Sequence, residues 1–341
     1  MIPGPGGQRA GPGLGRPYEI RVAVRPGGRG TDLRAVMPAM GTGVHLRILD
    51  VPESLARRAA VAALAEIAAI ERLANVHDPD SPLSLVNRLA GRQMVRVGGP
   101  LLDVVRRGMD LGVAFQGAFD ITALPLLRAW GFGGYRFDRP PTGEECDCAR
   151  EVVGRHHVEI SGDALGLRRA GAGIDLGSIA KGVAIDRAVD VLRRFGVRRA
   201  LVEAGGDLYA LGCPRDAPGW RIGLRHPLRP GWCATFPLAD AAVATSGAYE
   251  SFVDYDGRRC GHVMDPRTGQ PAETCLSATV MATSAGLADA AATALFVTGT
   301  PDHLPPGTGW MTVVGGEGGR VEVQSGGVVP RWTPVPEGEG V

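Results

Sequence analysis

The sequence predicts an α+β fold of two lobes with a ligand cleft between them, and three observations carry that reading. Apolar residues alternate at period two in some segments and recur at helical spacing in others. These segments mix without a regular strand–helix–strand beat, which disfavours a doubly wound parallel sheet. Five polar, glycine-framed turns are spread along the chain, a number that suits one long ligand threaded between lobes better than five unrelated loops. At 341 residues the chain can bury the core of one large domain or of two lobes.

Each element has its own signal. Tyr18, Ile20, Val22 and Val24 alternate, as do Val44, Leu46 and Ile48, and both runs predict strands between glycine turns. Residues 53–73 form an alanine-rich helix with a core stripe of Val61, Leu64, Ile67, Ile70 and Leu73, leaving Arg57, Arg58, Glu66 and Glu71 outward. Further helices are expected over 101–115 and 179–195, the latter keeping Ile185, Val189, Leu192 and Phe195 on one face. Strands follow at 200–203, 221–224, 242–245 and 277–282, and a last helix spans 287–297. No repeat of solenoid period occurs. Residues 1–16 and 330–341 are rich in proline and glycine and read as disordered tails around one domain over 17–329.

Composition narrows the function. A hydrophobic content of 44% with 21% charged residues describes an ordinary soluble chain. A formal net charge of +1 lacks the basic excess of a nucleic-acid surface, and 5% aromatics offer no stacking platform for single strands. No 18-residue apolar run marks a membrane span, and the N-terminus shows neither a secretory apolar region nor a lipoprotein-type cysteine. Cytoplasm is the expected location. Cys146 and Cys148 are too close for a zinc knuckle, so the six cysteines read as free thiols in a reducing compartment.

The chemistry concentrates in a few segments. In Gly173-Ile174-Asp175-Leu176-Gly177-Ser178-Ile179-Ala180-Lys181-Gly182 an apolar run ends in glycines and a helix starts with serine and lysine in its first turn. Such a start offers backbone N–H groups, a positive dipole end and an ammonium to an anion such as phosphate. The spacing is not that of a P-loop, since Lys181 is followed by Gly182. Asp289 and Thr293 are i and i+4 on a helix lined with alanines, which puts a carboxylate and a hydroxyl on one face as hard-cation ligands. The plainer reading has Thr293 bonding back to the i−4 carbonyl. His262 stands just before the Asp265-Pro266-Arg267-Thr268-Gly269 turn, where it can serve as acid or base or be a structural residue. Glycine-framed turns carrying Asp120 and Thr122, Asp207, and Ser246 are weak signals singly.

Taken in order, these segments resemble the FAD:protein FMN transferase (ApbE) family. The resemblance runs from Met40-Gly41-Thr42 through Asp78-Pro79-Asp80-Ser81 and Asn87 to GAFDITALPLLRAWGFG (117–133), GIDLGSIAKGVAIDRA (173–188) and ALVEAGGDLYALG (200–212). It closes with VATSGAY (243–249), HVMDPRTGQP (262–271) and ADAAATALF (288–296), covering about residues 35–300. Asn75 and His77 stand where the family often has serine and tyrosine, and Gly261 where it often has a further histidine.

The resemblance implies a Mg2+-dependent flavin transferase that binds FAD as substrate. A threonine hydroxyl of an acceptor protein bearing an Asp/Ser-Gly-Ala/Ser-Thr motif attacks the FMN phosphorus and AMP leaves. By motif, Met40, Asp120, Thr122, Ser178, Glu203, Gly206, Ser246 and Gly247 would line the FAD site with His262. Lys181 would contact the pyrophosphate and share the catalytic work with His262, the base for the threonine proton. Asp289, Thr293 and the Ala180 carbonyl would hold the metal. Two other readings stand beside this one: an FAD pyrophosphatase with water in place of threonine, and a non-catalytic flavin carrier, against which Asp289, Thr293 and His262 argue because storage needs no metal clamp. The nearest match to the acceptor motif in this chain, Ser246-Gly247-Ala248, ends in Tyr249 in place of threonine, which argues against self-modification there.

Overall fold

One antiparallel sheet of ten strands organises the computed structural model, which describes residues 8–9, 18–24, 30–135, 137–248, 251–316 and 320–335. Across the sheet the strands run Gln8–Arg9, Glu19–Val24, Thr31–Ala39, Thr42–Leu49, Ala200–Ala204, Asp207–Leu211, Ala241–Gly247, Ser277–Ala282, Gly309–Gly315 and Val321–Gly327. The helices in chain order are α1 (Glu53–Ala74), α2 (Pro82–Arg88), α3 (Gly99–Ala114), α4 (Leu124–Ala129), α5 (Gly143–Arg150), α6 (Ala180–Arg194) and α7 (Ala285–Thr298). The α+β expectation holds.

The sheet is covered on both faces at its centre. Ala242, Ala244, Ala278, Val280 and Ala282 face α1, α6 and α7, while Val243, Met281, Met311 and Val313 alternate to the other side. There a second sheet, Trp220–Arg225, Trp232–Leu238 and Thr333–Pro334, closes over them with Trp220, Ile222 and Phe236. Every residue of Ser277–Ala282 and Asp207–Leu211 is therefore buried, and these strands lack a polar alternation. Helix α7 is buried nearly all round, capped by the Ser284 hydroxyl at its start and closed by Gly299 in the left-handed conformation.

The stripe on α1 differs from expectation. Alanines carry it with Leu64, Ile67 and Ile70, while Val61 and Leu73 are only partly buried. Glu71, expected outward, is 6% exposed and lines a cavity. The tail expected from residue 330 is also corrected in part: Thr333 and Pro334 pair with Thr235 and Ala234, and 336–341 lie outside the described residues. Of the expected N-terminal tail, Gln8 and Arg9 pair with Ile20 and Glu19, and the other residues lie outside the described ones.

A smaller body stands apart from this core. Helices α4 and α5 and two hairpins, Phe252–Tyr255 with Arg258–Gly261 and Met264–Asp265 with Gln270–Pro271, enclose Leu126, Trp130, Phe132, Cys146, Tyr255, Cys260 and Met264. The Trp130 indole donates to the Gly269 carbonyl at 2.9 Å and the Tyr255 hydroxyl to the Trp130 carbonyl at 2.9 Å, tying helix to hairpins. Among the described residues no helix is long and apolar enough to cross a membrane.

Candidate active site

A cavity of about 990 Å3 lies between the main body and the smaller one. Met40, Asp120, Ser178, Ala180, Lys181, Ser246, Gly247, His262, Asp289 and Thr293 all line it, so the structure brings together most of the residues singled out in the sequence.

One side is built on α6 and α7. The Lys181 Nζ lies 3.1 Å from Asp207 Oδ2 and 3.6 Å from Asp289 Oδ2, and the two carboxylates are 2% and 5% exposed. Two buried carboxylates thus share one ammonium, a local surplus of negative charge. Burial pushes both upward, Asp289 to about 7 with the Asp207 charge adding to the effect. The Gly182 amide donates to Asp289 Oδ2 at 3.3 Å, so one helix-start N–H that the sequence offered to a phosphate is directed at a protein carboxylate. The Thr293 hydroxyl donates to the Asp289 carbonyl at 3.2 Å, the back-bond of the plainer reading, and lies 3.3 Å from the Ser246 hydroxyl. The Ser246 hydroxyl then donates to it, and one Thr293 lone pair stays available to a cation.

The close approach of α6 and α7 explains the Lys-Gly order. A Cβ on Gly182 would fall 2.2 Å from the Ala285 carbonyl oxygen, so no side chain fits there. Asp186 on α6 accepts from the Ala285 amide at 2.6 Å and the Gly286 amide at 3.0 Å, capping α7. Arg107 of α3 reaches Asp186 at 3.3 Å and the Ser284 hydroxyl at 2.6 Å. The register of Asp289 against Lys181 is fixed by these contacts.

The neighbouring walls rest on turns. The buried Asn87 side chain donates to the Ile174 carbonyl at 2.9 Å and accepts from its amide at 2.8 Å, clamping the approach to Asp175. Asp175 accepts from the Gly177 amide at 2.7 Å. Met40 and Gly41 both adopt positive φ, 55° and 72°, in the two-residue turn between Thr31–Ala39 and Thr42–Leu49. His262 Nδ1 lies 3.1 Å from the Ser251 carbonyl. A carbonyl only accepts, so Nδ1 carries the proton and Nε2 keeps its lone pair. Burial holds the His262 pKa below its ordinary 6.5, and the Lys181 charge acts the same way.

Three residues expected at the FAD site, Thr122, Glu203 and Gly206, stand outside the cavity lining. The Thr122 hydroxyl is spent on Asp120 Oδ1 at 2.6 Å and on the Gly154 amide at 2.7 Å, so it fixes Asp120 from behind. Glu203 Oε1 accepts from the Gly206 amide at 2.7 Å and stiffens the turn that leads to Asp207. Asp207 itself was not assigned a role from sequence; an acidic residue opening the apolar run Leu208-Tyr209-Ala210-Leu211 was its available signal. Asp175, Glu71 and Phe132 also line the cavity without a sequence assignment. Asn75 and His77 line it too, and a Cβ on Gly261 would meet the Ala248 Cβ at 2.9 Å, so a histidine has no room there.

The chain is similar to known proteins in sequence and in fold. The ApbE family model matches residues 40–305. An FAD:protein FMN transferase of Vibrio cholerae is 32% identical over 277 residues, 77% of this chain and 80% of that protein. The solved flavin transferase ApbE from Vibrio cholerae superimposes with a TM-score of 0.75 at 28% identity, covering 87% of this chain and 97% of its own. The ApbE protein of Thermotoga maritima gives 0.75 at 31% identity, with 86% and 96% covered. This chain belongs to the ApbE family.

Proposed function

We propose that the chain is an FAD:protein FMN transferase, working with Mg2+ on a threonine of an acceptor protein and releasing AMP. The observation that carries this reading is the pairing, in one cavity, of a buried Lys181–Asp207–Asp289 group with a neutral histidine whose Nε2 is unprotonated. Phosphoryl transfer needs position and charge neutralisation more than covalent chemistry from the protein.

The residues divide the work. FAD lies along the cavity with Met40, Asp120, Ser246 and Gly247 at its walls and its pyrophosphate toward Ser178 and Lys181. The His262 Nε2 takes the proton of the acceptor threonine while the Ser251 carbonyl holds Nδ1–H. The threonine oxygen forms its bond to the FMN phosphorus as the phosphorus–oxygen bond to AMP breaks, and the Lys181 ammonium neutralises charge on the phosphates. Asp289, the Thr293 hydroxyl and the Ala180 carbonyl suit a hard cation that takes its other ligands from phosphate and water. Among the described residues no cluster of three or more His, Cys, Asp or Glu side chains forms a metal cage, in keeping with such a sparse site. Bound there, Mg2+ supplies Lewis-acid stabilisation to the phosphate oxygens.

The test combines the chain, FAD, Mg2+ and an acceptor domain carrying an Asp/Ser-Gly-Ala/Ser-Thr motif. The expected products are AMP and an acceptor heavier by one FMN phosphoester. AMP with free FMN and an unlabelled acceptor identifies a pyrophosphatase, and neither product identifies a carrier. The Asp289→Ala variant is expected to lose Mg2+-dependent turnover while keeping its fold by circular dichroism; full activity at low Mg2+ removes the metal assignment.

A further inference from the structure

Lys181 is the single lysine of this chain; the other 36 of its 37 basic residues are arginine. It stands where a guanidinium serves poorly. An ammonium is a compact point charge with three rotatable donors, whereas guanidinium is a broad planar fork suited to one carboxylate at a time. Here the ammonium sits 3.1 Å from Asp207 and 3.6 Å from Asp289, with a third contact to the Gly177 carbonyl at 3.1 Å. Those partners are all oxygens, the donor set that a small hard cation also selects. The carboxylates are almost fully buried, while the lysine side chain is 25% exposed and enters from the cavity.

We propose that the Lys181 ammonium and a divalent cation exchange at Asp289, with Asp207 as the carboxylate that keeps the ammonium when it leaves. This rests on the cation site proposed above and deepens it. Before exchange the group of two carboxylates and one ammonium carries a formal charge of about −1, which repels a pyrophosphate. After exchange Asp289 belongs to the cation, Lys181 stays tethered to Asp207, and the formal charge is about +1. The ammonium then has donors to turn toward the cavity, and cation binding becomes the condition for accepting the dinucleotide. Asp207 is accordingly a positioning residue. It holds the ammonium within reach, so the cation does not expel the charge that the phosphates need.

A lone lysine makes the exchange directly visible. The full-length chain, labelled with 13Cε,15Nζ-lysine, gives one side-chain signal, which is followed while MgCl2 is added without FAD and binding heat is measured in parallel. The expected result is a saturable shift of that signal along the calorimetric isotherm, and loss of both shift and heat in Asp289→Asn. Lys181→Met is expected to bind Mg2+ about tenfold more tightly, because a competing cation has been removed. Binding heat with an unmoved lysine signal overturns the exchange and leaves the cation site standing, as does a Lys181→Met variant that binds no more tightly than the parent. Absence of binding heat in both proteins overturns the cation site and the exchange together.

Discussion

Two sides of the cavity are built in different ways. The Lys181–Asp289 side rests on two helices in backbone contact, locked by Asp186, Arg107 and the Ser284 cap. The His262 side rests on turns and a short hairpin, held by single bonds such as Ser251 to Nδ1. A site that neutralises phosphate charge must be preorganised, since dipoles that reorganise during reaction lose their advantage. A site that receives a second protein must leave its base reachable, and loops on a scaffold do that. Rigidity and access are thus divided between the two sides.

The largest expected effect breaks the accessible side alone. His262→Ala is expected to lower kcat about 10²- to 10⁴-fold, the usual worth of a positioned base, with the KM for FAD little changed. Steady-state kinetics with acceptor and FAD varied separately measure this, and an unchanged kcat removes His262 as the base. The sign of the pH dependence follows from its lowered pKa. The base form dominates above the ordinary value of 6.5, so the parent rate stays level there and falls only as pH drops through a lower value.

The same division decides what could be read from the sequence. Helix α6 and the Asp289/Thr293 face were legible because helical spacing fixes which side chains share a face. The placing of Asp289 and Lys181 at one site came from family resemblance, since nothing local joins residues 108 positions apart. Asp207 escaped because its chemistry depends on the Lys181 ammonium of α6 and on a strand buried on both faces, where no period distinguishes site from core. Thr122 and Glu203 show the converse: both carry polar chemistry in a matching turn, and local hydrogen bonds engage it. Their segments were legible, and the directions of their side chains were not.

A second substitution breaks the rigid side. Gly182→Ala places a methyl 2.2 Å from the Ala285 oxygen, a backbone atom that cannot move without shifting α7. The expected cost is about 3 kcal/mol of stability, with loss of Mg2+ binding as Asp289 leaves its register. Gly261→Ala is the matching change at the other side, where the new methyl meets the Ala248 Cβ at 2.9 Å and its Cα at 3.2 Å, a milder overlap against a turn rather than a buried helix. About 1 kcal/mol is expected there, with Mg2+ binding retained. Chemical denaturation and calorimetry on both variants test the contrast; equal losses would mean the helix contact holds no special register.

A further effect is thermal and separates the two sides by their protons. Asp289 has a folded-state pKa of about 7 against an ordinary 3.8, so the folded chain holds a proton that the unfolded chain releases. Stability from this group is fully present below 3.8 and is lost as pH rises through about 7. A cation at Asp289 must displace that proton below about 7 and meets a ready carboxylate above it. At a concentration about a hundredfold over its Kd, Mg2+ is expected to add about 2.7 kcal/mol above that pH. Below it the gain shrinks by up to about 1.4 kcal/mol per pH unit, the cost of removing one proton. His262 makes the opposite contribution, since its lowered pKa favours the neutral folded form as pH rises and involves no cation. The difference in Tm with and without Mg2+, followed across pH, therefore isolates the helix side: a rise through pH 7 places the cation on Asp289, and a flat profile takes it off.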